Sequence, residues 1–437
     1  MNDPTTLAMR SSDARKMTVA LDRQLESAFV LRARVQECEH GTTLTVASVE
    51  PIADDAYEER APNGLSIRST AWVPALGRAN RANEILLLAH THPGGDPSPS
   101  VNDRQVERDL LTTTTNREVR RIGNVIVGGN PERPTFTGTV LEDGIRRRID
   151  RLRIAGTTTT IIQATDGQCA IPEPLYDRQV RAFGPTGQAA IADLRVGIVG
   201  AGGTGSAVAE QLVRLGVRHI VSLDPDSLTD TNVTRVYGSS VGQVDLPKVE
   251  VLRANAERIG LGTAVSTRCT SLDGEELLSL LAHCDVVFGC TDDHAGRGWL
   301  TRLPGRVLNT LIDCGVVIDS LAQQVNEIYG RVTTVVPGSA CLFCTRDIDP
   351  EKVRIESLSP EEYNRQLREG YAPELDTRDP AVIAYTTLVA SLAVSEMIDR
   401  FIVHGFEQPP NQLRVRALER RTGHRHIEPR PGHWCGQ

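Results

Sequence analysis

The sequence predicts an α/β protein of two domains, the second built on a parallel sheet. Length is the first reason: 437 residues exceed the roughly 100–200 that one domain ordinarily holds. The second is a change of pattern at residue 176, after which strand, glycine-rich turn, helix and strand follow one another, the order of a parallel α/β sheet. The third is the stretch before it, which reads as helix, then strands, then a helix opening after Pro99. The expected division is a first domain over 1–155, a connector over 156–173 rich in Thr and Gly, and a second domain over 174–437. Within the connector, Ile161 and Ile162 are candidates for a short strand.

Composition narrows the function classes. Apolar residues make up 40% and charged ones 24%, enough apolar material for sizeable cores. A formal charge of −8 argues against a nucleic-acid backbone or an anionic membrane as main partner. Aromatics at 4% disfavour stacking platforms for single strands. The opening residues show no apolar core and no cleavage pattern, so no secretory leader is expected. The most apolar long stretch, 381–394, is interrupted by Tyr385, Thr386, Thr387 and Ser391 and is too short to span a bilayer, which makes it a buried helix. Nine cysteines without a regular spacing fit a reducing, cytoplasmic compartment better than a disulfide framework.

The first domain carries ILLLAHTHPGGDPSPSVND. Residues 85–89 form a strand-like apolar run that ends in His90 and His92. On a strand, residues two apart share a face, so both imidazoles can reach one zinc ion. A turn rich in Gly and Pro follows. Ser100 and Asp103 then open a helix and share one of its faces. Two His and one Asp leave a fourth position for water, the layout of a catalytic zinc site. A bare H-x-H would read more simply as a strand end. The full pattern H-x-H-x7-S-x2-D resembles the JAMM (JAB/MPN) metalloproteases, whose fold is a cytidine-deaminase-like α/β domain, over about residues 20–155. That resemblance implies His90, His92 and Asp103 as zinc ligands and Ser100 as a hydrogen-bond donor to the oxyanion. It also implies an upstream carboxylate as acid/base. Glu26, just before the apolar run 28–31, is the first candidate, and Glu50 the second.

The second domain opens with LYDRQVRAFGPTGQ and continues LRVGIVGAGGTGSAVAEQLVRLGVRHIVSLDPDSL. Residues 195–199 are a buried strand, Gly200, Gly202, Gly203 and Gly205 the turn, and 206–215 the helix. Such glycines let a phosphate approach backbone amides at a helix N-terminus. Asp224 ends the second strand, where a carboxylate can hold ribose hydroxyls. A dinucleotide-binding oxidoreductase would look the same to this point. The residues that follow separate the two: Asn232, Arg235 and Lys248 suit a triphosphate, and Asp292 at the end of CDVVFGCTDD can hold magnesium. Together these pieces resemble the ThiF/MoeB/HesA activating enzymes of ubiquitin-like and sulfur-carrier proteins, with a Rossmann-like parallel sheet, over 174–437. The resemblance implies that Asp224 binds ribose, that Asn232, Arg235 and Lys248 hold phosphates, that Asp292 holds magnesium, and that Arg178 is an arginine finger reaching a neighbouring protomer's site. It further implies ATP as cosubstrate and a homodimer.

Cysteines complete the reading. Cys341 and Cys344 form a C-x-x-C. In the resembled class a second C-x-x-C completes a structural zinc; here the chain ends PGHWCGQ, and His433 with Cys435 offers a nitrogen and a sulfur instead. The loop that carries a thioester-forming cysteine in other members has none here, and offers Asp376, Thr377 and Arg378. Direct transfer of the adenylate is therefore expected, with an oxyester on Thr377 or a thioester on Cys314 as alternatives.

The expected function is bifunctional, in a bacterial ubiquitin-like modification pathway: cleavage after the terminal glycine of a ubiquitin-like protein, and ATP-dependent adenylation of that glycine. A conjugating enzyme is a further candidate partner. The rivals are a sulfur-carrier pathway in cofactor or amino-acid biosynthesis, and a scaffold with vestigial sites.

Overall fold

The computed structural model describes residues 4–116, 120–164, 174–271, 274–321, 324–369, 380–405 and 408–436. The chain divides into two compact units, Met1–Cys169 and Ala170–Gln437.

The first unit is built on a mixed nine-stranded sheet. Its centre is Thr5–Arg10, Gly41–Pro51, Ala28–Cys38, Glu84–Thr91 and Arg121–Asn130, in that spatial order. Thr5–Arg10 pairs parallel with both Gly41–Pro51 and Arg151–Ala155, so the unit starts well before residue 20. Thr159–Gln163 pairs antiparallel with Arg151–Ala155. The short strand expected around Ile161 and Ile162 is thus present, and it forms the outer edge of this sheet. The Thr run has the β-branched side chains that a pleated surface accepts, and Thr159 is buried.

Strand alternation sorts the apolar residues onto two faces. Ile85, Leu87 and Ala89 join Leu7, Met9, Leu31 and Phe136 in one core. Leu86 joins Val30, Ala79, Leu110 and Ile122 in the other, with Leu88 packed against it, under the helices Val73–Arg81 and Val101–Asn116. His90 continues the row of Leu86 and Leu88. It therefore emerges on the face where the helix bearing Asp103 lies.

The second unit holds an eight-stranded sheet. Five strands run parallel in the order Ala264–Arg268, His219–Leu223, Arg195–Val199, Val286–Gly289 and Thr310–Leu321. Gln324–Val335, Gln412–Arg416 and Arg421–Arg425 extend it antiparallel. The strand order reverses beside Arg195–Val199, and such a switch point opens a crevice beyond the carboxyl ends of the strands. The glycine-rich helix starts at Gly203, so Gly203 and Gly205 lie in its first turn and not in the loop before it. The apolar stretch expected as a buried helix is Ile383–Ile398, with Val389, Ala390, Ala393 and Met397 buried. Among the described residues no helix is long and apolar enough to cross a membrane.

Candidate functional sites

In the first unit the H-x-H pair, the helix start and Glu26 converge. The Nε2 atoms of His90 and His92 lie 3.1 Å apart. Asp103 reaches both, with Oδ1 3.2 Å from His90 Nε2 and Oδ2 3.6 Å from His92 Nε2. Glu26 Oε1 stands 3.8 Å from His92 Nε2. His92 Nδ1 lies 2.9 Å from the Asp96 carbonyl. Donation there leaves the lone pair of Nε2 facing inward. The imidazole nitrogens and carboxylate oxygens converge on one point, where a cation can take the place of the imidazole–carboxylate hydrogen bonds. Two imidazoles and a carboxylate are borderline ligands that suit zinc.

Ser100 and Asp103 hold each other: Ser100 N–H donates to Asp103 Oδ2 at 2.7 Å, and Asp103 N–H donates to Ser100 Oγ at 3.1 Å. The Ser100 hydroxyl proton remains available for another acceptor. The two carboxylates are driven apart in acidity. Burial raises Glu26 above the ordinary range, although His90 and His92 pull the other way. Burial opposes the charge on Asp103 too, but hydrogen bonds from His90 and His92 prevail and hold its carboxyl well below the usual range. Two carboxylates whose environments separate them in this way are a pattern that acid–base sites use. Glu50, the second candidate, is exposed and 3.4 Å from Arg78; it is not part of this cluster.

In the second unit the crevice gathers the glycine loop, Asp224 and Lys248. Asp224, 6% exposed, accepts from Ala201 N–H at 2.6 Å and from Asp226 N–H at 2.8 Å. Its carboxylate thus fixes the loop as well as facing the crevice. Burial raises its pKa, against the pull of Lys248. Lys248 Nζ is 2.6 Å from Asp226 and 3.9 Å from Asp224. Arg235 donates to the Thr231 carbonyl at 2.8 Å, and its stem runs so close to Gly203 that a Cβ there would meet it at 3.3 Å. Asn232 Oδ1 accepts from Thr229 N–H at 3.4 Å. Gly200 adopts φ +92°, and a Cβ on it would stand 2.6 Å from the Cys290 carbonyl. That close approach brings the segment carrying Asp292 beside the glycine loop. Asp292 is exposed; its neighbour Asp293 instead caps the helix His294–Leu300 by accepting from Gly296 N–H. Arg178 is exposed in the first turn of Asp177–Asp193.

Cys341, Cys344, His433 and Cys435 form a further cluster whose ligand atoms all lie within 4.8 Å of one another. His433 Nδ1 is 3.6 Å from Cys341 Sγ and 3.1 Å from Cys435 Sγ, and the sulfurs of Cys344 and Cys435 are 3.6 Å apart. Burial and the neighbouring thiols push Cys341 up to about 12. Three buried thiols and a half-buried imidazole have the donor chemistry of a structural zinc site. Thr377 lies outside the described residues. Cys314 is buried, 6% exposed.

Sequence reasoning missed two features. One is a buried ionic chain: Arg297 grips Asp313 with two hydrogen bonds of 2.9 and 2.7 Å, and Arg331 joins Asp313 to Asp347. Its signal was present, an aspartate inside the apolar run LIDCGVV. The other is Arg60, which no local pattern marks.

The chain belongs to the ThiF family, which it matches over residues 176–435. Residues 77–135 match the RadC-like JAB domain. Among curated relatives it is 39% identical to the molybdopterin-synthase adenylyltransferase of Escherichia coli over 127 residues, 29% of this chain and 51% of that enzyme. It is 30% identical to the sulfur carrier protein ThiS adenylyltransferase of Bacillus subtilis over 182 residues, 40% of this chain and 51% of that enzyme. The chain thus spans about half the length of the curated relatives it matches. Among solved structures, E. coli MccB with ATP aligns at 17% identity and a TM-score of 0.47, over 61% of this chain and 76% of that one.

Proposed function

We propose that the chain is an adenylyltransferase for a ubiquitin-like or sulfur-carrier protein, joined to a zinc-dependent peptidase acting on the same C-terminal glycine. The observation that carries the peptidase half is the convergence of His90, His92, Asp103 and Glu26 within 4 Å contacts of one another's neighbours.

In the peptidase half, zinc held by His90, His92 and Asp103 would supply Lewis acidity and acidify a water. Glu26, its pKa raised by burial, accepts a proton from the attacking water and passes it to the leaving amine. Ser100 donates its hydroxyl proton to the developing oxyanion. The products are the glycine carboxylate and a free amine.

In the second half that carboxylate attacks the α-phosphate of ATP, forming the acyl adenylate and releasing pyrophosphate. Asp224 orients the ribose. Asn232, Arg235, Lys248 and a partner's copy of Arg178 offset the charge gathering on phosphoryl oxygens. Asp292 would hold magnesium, which would supply further positive charge at the phosphates. Direct transfer of the adenylate is the favoured onward step, since the burial of Cys314 works against its meeting a bulky tail. The Cys341, Cys344, His433 and Cys435 cluster holds a structural zinc.

The name of the Bacillus subtilis relative favours a sulfur carrier as partner, and the JAB-like half favours a modifier that is also cleaved from acceptors. The test is ATP–pyrophosphate exchange with candidate partner proteins ending in Gly-Gly. Exchange should require the partner and vanish in Asp292→Ala and Lys248→Ala, while both variants still trim residues placed beyond the glycine. Exchange without any partner, or trimming that survives removal of zinc, would overturn the reading.

A further inference from the structure

We infer that Arg60, on a small hairpin outside the main sheet, is a positioning residue for Glu26. The inference rests on the peptidase reading above.

Glu26 sits two residues before the strand Ala28–Cys38 begins, so the sheet ladder does not hold its backbone. The residue is 4% exposed. A buried carboxylate that must carry charge gains by swinging into water, and its backbone anchorage adds to the pull of the histidines in keeping it beside them. The hairpin Tyr57–Ala61 with Gly64–Ile67 supplies that anchorage. Arg60 Nε donates to the Glu26 carbonyl at 2.7 Å, and its Nη2 donates to Ser27 Oγ at 2.8 Å. Glu26 N–H donates to the Ala61 carbonyl at 3.1 Å, and Ala28 N–H donates to the Tyr57 hydroxyl at 2.8 Å. Arg60 is itself fixed, stacked 4.6 Å over the Tyr57 ring and paired with Asp54 at 2.8 Å. On the other side, Ser27 exchanges two hydrogen bonds of 3.0 Å with Thr91, the residue between His90 and His92.

The guanidinium therefore grips the Glu26 carbonyl and the Ser27 hydroxyl, and that short segment is tied to the strand carrying the histidines. A planar fork holds two acceptors in fixed directions as an ammonium does not. Arg60 touches neither histidine in this network, so its loss should free Glu26 without loosening the metal ligands.

The experiment uses the full zinc-loaded chain and a Gly-Gly aminomethylcoumarin peptide amide as probe. Three quantities are read: bound zinc, amide hydrogen exchange of residues 26–28, and cleavage. Arg60→Ala should keep its zinc and raise exchange at 26–28 at least ten-fold. Its kcat should fall about 10- to 100-fold, as a displacement of about 1 Å at a reacting group can do, with KM within two-fold. Millimolar methylguanidine should restore part of the loss. Ser27→Ala, which removes a single bond of the clamp, should show a smaller loss of the same kind and serves if Arg60→Ala folds poorly. Unchanged exchange at 26–28, or loss of zinc from folded Arg60→Ala, would overturn the inference. Normal cleavage by Glu26→Gln would remove Glu26 as the acid/base and overturn the inference, whereas no cleavage by the native chain would overturn the peptidase reading and leave the exchange data to judge the clamp.

Discussion

Glu26 and Asp103 are both carboxylates within reach of His92, yet their surroundings assign them opposite tasks. Asp103 receives hydrogen bonds and stays an anion; Glu26 is desolvated and holds its proton more tightly. Replacing Glu26 by Gln keeps the shape and removes the proton carrier. We expect Glu26→Gln to retain zinc, read by metal analysis, and to lose at least about 100-fold in cleavage rate, the scale of general acid–base catalysis. Asp103→Ala should instead lose the metal together with activity. The same contrast separates Asp292 from Asp293. One is exposed beside the crevice, and the other is consumed in capping a helix. Asp293→Ala should cost about 1 kcal/mol of stability, the value of an N-cap, in urea unfolding.

Among the elements, the glycine-loop helix and the strand Thr310–Leu321 depend most on their neighbours. A Cβ on Gly205 would stand 1.7 Å from the Gly200 carbonyl, a backbone atom that cannot rotate away. Gly205→Ala should therefore destabilise the second unit by about 3 kcal/mol, the upper range for overpacking, and abolish pyrophosphate exchange. The strand Thr310–Leu321 carries Asp313 into a fully buried position, where Arg297 and Arg331 neutralise it. Removing one partner of a buried pair leaves charge without compensation. Arg297→Met should cost about 3 kcal/mol, measured by denaturant unfolding, because Arg331 still holds part of the charge.

For the whole molecule, two compact units with separate apolar cores predict two unfolding transitions in calorimetry. The Cys341, Cys344, His433 and Cys435 cluster belongs to the second unit only. Cys341→Ser should lower the second unit's Tm and remove one equivalent of zinc, leaving the transition of the first unit in place. A shift of both transitions together would show that the units unfold as one.

The sequence by itself determined the fold class and the parallel core of the second sheet, and it marked most of the residues that the structure gathers at both candidate sites. Each depends on short spacing: H-x-H on one strand end, S-x2-D on one helix turn, glycines between a strand and its helix. Such spacings fix relative positions within a few ångströms whatever the rest of the chain does. It also marked Glu26, through its place just ahead of a strand, but could not exclude Glu50, which the tertiary structure leaves exposed beside Arg78. The first strand of the first sheet lay beyond it. Thr5–Arg10 becomes a strand because distant partners, Gly41–Pro51 and Arg151–Ala155, complete its ladders, and pairing across so many residues leaves no local periodicity. Arg60 is the sharpest case. Its partners Glu26 and Ser27 lie more than thirty positions away, and an arginine in a short polar hairpin looks like any surface residue until folding brings a carbonyl and a hydroxyl under its guanidinium.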